Sequence, residues 1–182
     1  MDSVKRNIKI AISGKSGCGN TTVTALTAKK LGLRFINFTF RNLAAEKNIK
    51  LEDVLRLAEQ DDCWDREVDR RQIEAALSDS ETGCALGSRL AIWMLKEADI
   101  KVYLKAQAEI RVRRLMRRDG GDFDAVAAFT RERDIRDHER YLRLYNIDND
   151  DYAFADLVID SGLHTPEEIV SRISGKAASI SN

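Results

Sequence analysis

Apolar residues in this chain fall in short, mostly apolar runs, separated by longer stretches where they recur every three or four positions among charges. Ile8–Ser13, Phe35–Phe38, Cys84–Leu86, Lys101–Leu104 and Leu157–Ile159 are the short runs and read as strands. Short runs dominated by apolar residues suit strands covered on both faces. Thr21–Leu31, Leu43–Leu57, Asp65–Leu77, Glu109–Arg118 and Ala125–Leu144 carry the helical period, with Gly32 closing the first. Thr165-Pro166-Glu167-Glu168 marks a last helix through a capping residue, a proline in the first turn and acids at the positive end of the dipole. That helix is expected to set Ile169, Val170 and Ile173 on the sheet and to end at Gly175, with residues 176–182 as a frayed tail. Strand alternating with helix predicts an α/β fold in three layers, a central parallel sheet with helices on both faces.

The 182 residues fit a single domain with a sizeable core, and the one proline argues for an ordered, helix-rich chain. Thirty basic and thirty acidic residues cancel. No overall field therefore draws the chain to a nucleic acid polymer or a membrane, and any anion site must be local. No run is long enough to span a bilayer, and with a short polar stretch, Met1–Asn7, ahead of the first strand no leader is expected. Cys18, Cys63 and Cys84, with His138 and His164, form neither a disulfide framework nor a zinc pattern, so a reducing cytoplasm is the expected location. A monomer is expected, with a homodimer as the alternative.

Chemistry concentrates first between the Ile8–Ser13 strand and the Thr21–Leu31 helix. Gly14-Lys15-Ser16-Gly17-Cys18-Gly19-Asn20-Thr21-Thr22 follows the phosphate-loop pattern G-x-x-x-x-G-K-[ST] except that Asn20 takes the lysine position. Glycines let successive backbone N–H groups turn toward phosphate oxygens, and the hydroxyl at Thr21 is the metal position of the pattern. Small polar residues and glycines at such a junction also make plain tight connections. Helix N-terminal amides near Cys18 could lower its pKa and make it redox sensitive, but a small-residue filler role suits it better.

In this topology ligands gather at the carboxyl ends of the strands. Arg41 and Arg89 follow strands, and Arg133, Asp137 and Arg140 share one face of a long helix through their spacing. A second cluster, Arg111, Arg113, Arg114, Arg117 and Arg118, ends at Asp119-Gly120-Gly121, where glycines suggest the hinge of a lid. Arg113 and Arg117, with Arg133, are the candidates there for contact with a transferring phosphoryl group. Asp69 and Arg70, in the run Asp65–Arg71, can reach a base or phosphate from across a cleft. Each of these charged runs also fits a solvated helix face.

Taken together, these residues resemble the short, archaeal-type cytidylate kinases of the nucleoside monophosphate kinase group. The resemblance runs nearly end to end, through Ile12–Thr22, Phe40-Arg41 with Leu43-Ala44, Asp65–Gln72, Ser88–Ala91 with Trp93-Met94, Leu104–Ala106 with Arg111, Arg133–Tyr141, Tyr145–Asp148 and Asp156–Asp160. It implies transfer of the γ-phosphoryl of ATP to CMP or dCMP with Mg²⁺. It also implies one domain with a monophosphate-binding region over residues 38–80 and a lid over 108–130. Gly14 through Thr22 would hold ATP, with Thr21 on the metal. Arg41 and Arg89 would grip the monophosphate, while Arg133, Asp137 and Arg140 match the family's arginine-acid-arginine motif, whose acid reads the pyrimidine amino edge. Two positions depart from the family pattern: Asn20 for the loop lysine, and Gly87 for the acid at the strand end. Lys15 is the visible candidate to supply the missing charge, and nucleotide binding without turnover is the alternative reading.

Overall fold

A computed structural model describes residues 7–58, 60–79 and 81–180, with no side-chain description at position 55. The polar lead-in over residues 1–6 and the last two residues of the expected tail lie outside that range.

Among the described residues, five parallel strands form one sheet in the order β2-β3-β1-β4-β5. They are β1 (Lys9–Ser13), β2 (Arg34–Ile36), β3 (Cys84–Gly87), β4 (Ile100–Lys105) and β5 (Leu157–Asp160). Strand β1 is central, with Ile10 in register with both Ala85 and Ile100. Its side chains alternate between two cores. Ile8, Ile10 and Ile12 join Val23 of α1 (Asn20–Leu31) and Ile169 and Ile173 of α8 (Pro166–Ile180). Ala11 faces the other way, into a cluster with Leu86, Tyr103, Ala76 of α4 (Cys63–Leu77) and Ile92 of α5 (Ala91–Met94). Burial on both faces explains why β1 reads as an apolar run rather than an alternation.

The helices differ from expectation in three places. The apolar period over Leu43–Leu57 suggested one helix, but there are two, α2 (Phe40–Lys47) and α3 (Leu51–Ala58). Asn48 breaks them with φ 52°, its N–H bonded back to the carbonyls of Ala44 and Ala45. Asparagine tolerates this left-handed cap better than other residues bearing a Cβ. Helix α5, too short for periodicity to show, is tied down by Ile92 N–H donating to Ser13 Oγ at 3.1 Å. Helix α8 passes through Gly175 to Ile180 because Ala177, fully buried, continues its apolar face.

Helices α6 (Ala108–Asp119) and α7 (Phe123–Tyr145) pair above the carboxyl ends of the strands. Gly120 and Gly121, at φ 80° and 101°, make the turn between them. Among the described residues no helix is long and apolar enough to cross a membrane.

Candidate active site

A cavity of about 890 Å³ opens at the carboxyl end of β1, lined from Lys15 to Val23 by the glycine loop and the start of α1. Gly17 and Gly19 adopt φ of 84° and 96°, conformations that favour glycine. Space restricts Gly14 and Gly17 as well. A Cβ on Gly14 would lie 2.4 Å from the Leu104 carbonyl oxygen, and one on Gly17 would lie 2.9 Å from Arg111.

Asn20 is the first residue of α1, and its Nδ2 donates to the Gly14 carbonyl at 2.6 Å. The side chain therefore closes the loop on itself and brings no charge. Its Oδ1 is buried without a hydrogen-bond partner among the described residues. Thr24 Oγ1 donates to the Asn20 carbonyl at 2.6 Å. The same Oγ1 would lie 2.4 Å from a Cβ on Gly87. The two departures from the family pattern thus meet at one packed junction, and no strand-end acid fits beside Thr24 as it stands.

Lys15 also lines the cavity, and its Nζ pairs with Asp150 Oδ1 at 2.6 Å. Thr21 and Thr22, exposed in the first turn of α1, line the same wall. Cys18 is buried, and burial pushes its thiol up to about 11, against the lowering expected from nearby helix amides. It is packing, not a reactive thiolate.

Arginines close the rim, but not all of those expected. Arg89, Arg114, Arg118 and Arg133 line the cavity. Arg113 and Arg117 do not: Arg113 points outward to Glu109 at 2.7 Å, and Arg117 is exposed. The correction is a rotation of one residue around α6, since 114 and 118 share a face four apart just as 113 and 117 do. Arg114 donates to the Gly17 carbonyl at 3.3 Å and to the Ser161 carbonyl at 2.6 Å, bridging the loop to the β5–α8 connection. Arg111 lies behind them, bidentate to Asp134 at 3.2 and 2.5 Å while donating to the Ser16 carbonyl at 3.0 Å. Arg41 is exposed on α2 and outside the cavity wall, although its neighbour Phe40 lines it.

Asp137 is locked between two guanidiniums, Oδ2 accepting from Arg89 and Oδ1 from Arg140, each at 2.8 Å. Arg133 Nε stands 3.9 Å from the same carboxylate. Burial, then the like charge of Arg89, holds the Arg133 guanidinium below its usual pKa. Such a crowding of cations draws an anion in. Across the cavity, Asp69 and Gln72 of α4 line the wall beside Phe38, Asn37 and Thr39. Gln72, Asn37 and the Ser161–His164 corner were missed from sequence. For Gln72 the signal was its place one turn after Asp69.

Ser161, His164, Pro166 and Ile169, which follow β5 at one edge of the sheet, and Asn37 and Phe38, which follow β2 at the other, line the same cavity, with Val68, Asp69 and Gln72 of α4. The glycine loop follows β1, the central strand. The profile of the Cytidylate kinase-like family matches residues 9–163. The chain belongs to that family. As a cytidylate kinase-like protein it is 49% identical over 157 residues to a Cytidylate kinase 2 of Borreliella afzelii, covering 84% of this chain and 86% of that one. A Cytidylate kinase of Pyrococcus horikoshii is 38% identical over 91% of this chain and 85% of the relative. Among solved structures, shikimate kinase from Acinetobacter baumannii in complex with shikimate superposes with a TM-score of 0.63 at 17% identity, covering 96% of this chain and 95% of that one. Deoxyadenosine kinase from M. mycoides with bound dATP gives 0.56 at 17% identity, covering 93% and 98%. These two likenesses establish the P-loop α/β fold, and the family establishes a kinase with a nucleotide-binding loop.

Proposed function

We propose that this kinase transfers the γ-phosphoryl group of ATP to CMP or dCMP with Mg²⁺. The observation that carries the reading is one cavity reached from both edges of the sheet, with the glycine loop and Arg89, Arg114, Arg118 and Arg133 on its wall. Phosphoryl transfer needs aligned reactants and cations around the equatorial oxygens more than covalent help. In the proposed arrangement the amides of residues 14–22 hold the ATP phosphates. The donor nucleoside lies toward Ser161, His164 and Pro166, and the monophosphate nucleoside toward Phe38, Asp69 and Gln72.

An oxygen of the acceptor phosphate attacks the γ-phosphorus as the bond to the β–γ bridging oxygen breaks, giving ADP and the diphosphate. Arg89 and Arg133 orient the two phosphates, while Arg114 and Arg118 reach from the lid over residues 108–130. Arg140 holds Asp137 in place, and Arg41 reaches the acceptor phosphate only if the region over 38–80 closes. Lys15 supplies the cation that Asn20 lacks, after leaving Asp150. The donor set fits Mg²⁺, which keeps several waters and takes few protein oxygens. Thr21 Oγ1 would hold it, and once bound it would offset the negative charge of the ATP phosphates.

The test is ADP production from Mg-ATP with CMP, dCMP, UMP and AMP offered separately, beside a titration of ATP binding. Turnover with the cytidine monophosphates is expected. ATP binding with no ADP from any acceptor overturns the reading.

A further inference from the structure

The acid best placed to read a base in this cavity is not the one the arginine-acid-arginine motif singles out. Both Asp137 oxygens are spent on Arg89 and Arg140, and its side chain is only 9% exposed. It faces a small recess with Gly14, Lys15 and Asn149 and lies outside the main cavity wall.

Asp69 differs on each count. It lines the main cavity one turn before Gln72, and Phe38, Phe40, Val68 and Tyr141 line the same cavity. Its Oδ2 accepts from the Tyr145 hydroxyl at 2.7 Å, which fixes the carboxyl and leaves Oδ1 without a hydrogen bond among the described residues. Gln72 is fixed as well, Nε2 donating to the Phe38 carbonyl at 2.7 Å. A flat ring entering between these apolar residues meets a preset acceptor at its edge.

We infer that Asp69 selects a cytosine ring at the acceptor end of the cavity, its Oδ1 accepting from the exocyclic amino group, while Asp137 acts only by positioning Arg89 and Arg140. The inference rests on the nucleoside monophosphate kinase reading above. Cytosine offers an amino donor at C4, where uracil offers a carbonyl acceptor. A carboxylate opposite the amino group makes a charge-assisted bond, and the same oxygen opposite O4 sets two acceptors against each other. Burial raises the Asp69 carboxyl to about 6, so in mildly acid solution a neutral acid can accept from the amino group and donate to N3. The groups acting on it are Tyr145 and Arg140 of α7, Asp65 of α4, and Arg89 of the β3–α5 connection.

The experiment compares kcat/KM for CMP and UMP in the wild type, Asp69→Asn and Asp137→Asn, with ATP affinity and thermal unfolding recorded for each. An asparagine at 69 can turn its NH₂ toward O4 and its oxygen toward N3–H. The CMP-to-UMP ratio in Asp69→Asn is therefore expected to fall about ten- to hundredfold with ATP affinity unchanged. In Asp137→Asn both substrates should lose together and the ratio should hold. Asp69→Ser, whose hydroxyl serves either ring, is the second variant and should bring the ratio toward one. A ratio preserved in either Asp69 variant, or shifted in Asp137→Asn, overturns the assignment. A wild type that phosphorylates neither pyrimidine overturns the kinase reading instead.

Discussion

The side-chain amide of Asn20 donates to the Gly14 carbonyl at 2.6 Å, joining the two ends of the glycine loop. The residue in the lysine position thus keeps a bridging role while giving up the charge. Asn20→Ala would leave a buried carbonyl without its donor, at a cost of about 1–3 kcal/mol. Chemical denaturation should show a lower midpoint with an unchanged slope, and an unchanged midpoint would mean that the bridge contributes nothing.

Lys15 gives a prediction in which activity and stability separate. Its pair with Asp150 is partly exposed, the two side chains being 29% and 52% accessible, so losing it should cost less than about 1 kcal/mol. Losing a cation from a phosphoryl-transfer site costs far more, on the order of a hundredfold in kcat. Lys15→Ala should therefore fold normally and turn over slowly. In that background Asn20→Lys should restore most of the rate, whereas in the wild type it should add little, since one cation already serves. Equal gains in both backgrounds would remove Lys15 from the mechanism.

The sheet and most helices were legible because both rest on periodicity. Strand β1 shows its mostly apolar run, and α4 and α7 show their three-four steps. The break at Asn48 was not legible, because the apolar period continues across it and only a backbone angle interrupts the helix. Nor was the continuation of α8, since Gly175 reads as a stop but stands in open space within a helix anchored by Ala177. At the site, residue type located the glycine loop and Arg89, which sit where strands end. Choosing Arg114 and Arg118 over Arg113 and Arg117 required the phase of α6 against its neighbours, and charge alone does not set it. The roles of Asp69 and Asp137 depend on which oxygens are already taken, a fact of tertiary contact.

Gly87 and Thr24 supply a packing test. A Cβ at position 87 would lie 2.4 Å from Thr24 Oγ1 and 2.9 Å from Thr24 Cβ. Gly87→Asp should therefore destabilise by about 1–3 kcal/mol through overpacking. Thr24→Gly in the same chain should recover part of that loss. The double variant should be more stable than the sum of the single changes predicts, and strict additivity in thermal unfolding would show that the collision is relieved elsewhere.

The arginines of α6 offer a contrast between neighbours. Arg114 bridges Gly17 and Ser161, while Arg113 pairs with Glu109 on the outer face. Arg114→Ala should raise the KM for ATP at least several-fold, because two carbonyls and a charge at the rim lose their partner. Arg113→Ala should leave both KM and kcat within about twofold, consistent with the small worth of an exposed i,i+4 pair. Steady-state kinetics on the two variants decides it, and a larger loss from Arg113→Ala would mean that α6 rotates or closes in the working enzyme.

Asp69 should leave a signature in stability against pH. Burial lifts its carboxyl from an ordinary 3.8 to about 6 in the folded chain, with the Tyr145 hydrogen bond opposing the lift. Between those values the folded chain holds a proton that the unfolded chain has released. The stabilisation is thus fully present below the lower value and is lost as pH rises through the upper one. The shift sets an upper limit of about 3 kcal/mol on the loss. Asp69→Asn cannot ionise, so the unfolding free energy of the wild type relative to that variant should fall between about pH 4 and pH 7 and then level off. Tyr145→Phe removes the opposing hydrogen bond and should move the fall to higher pH. A wild-type-minus-variant difference that stays flat across this range would mean that Asp69 is solvated as an ordinary carboxylate, and the preset acceptor at the ring edge would go with it.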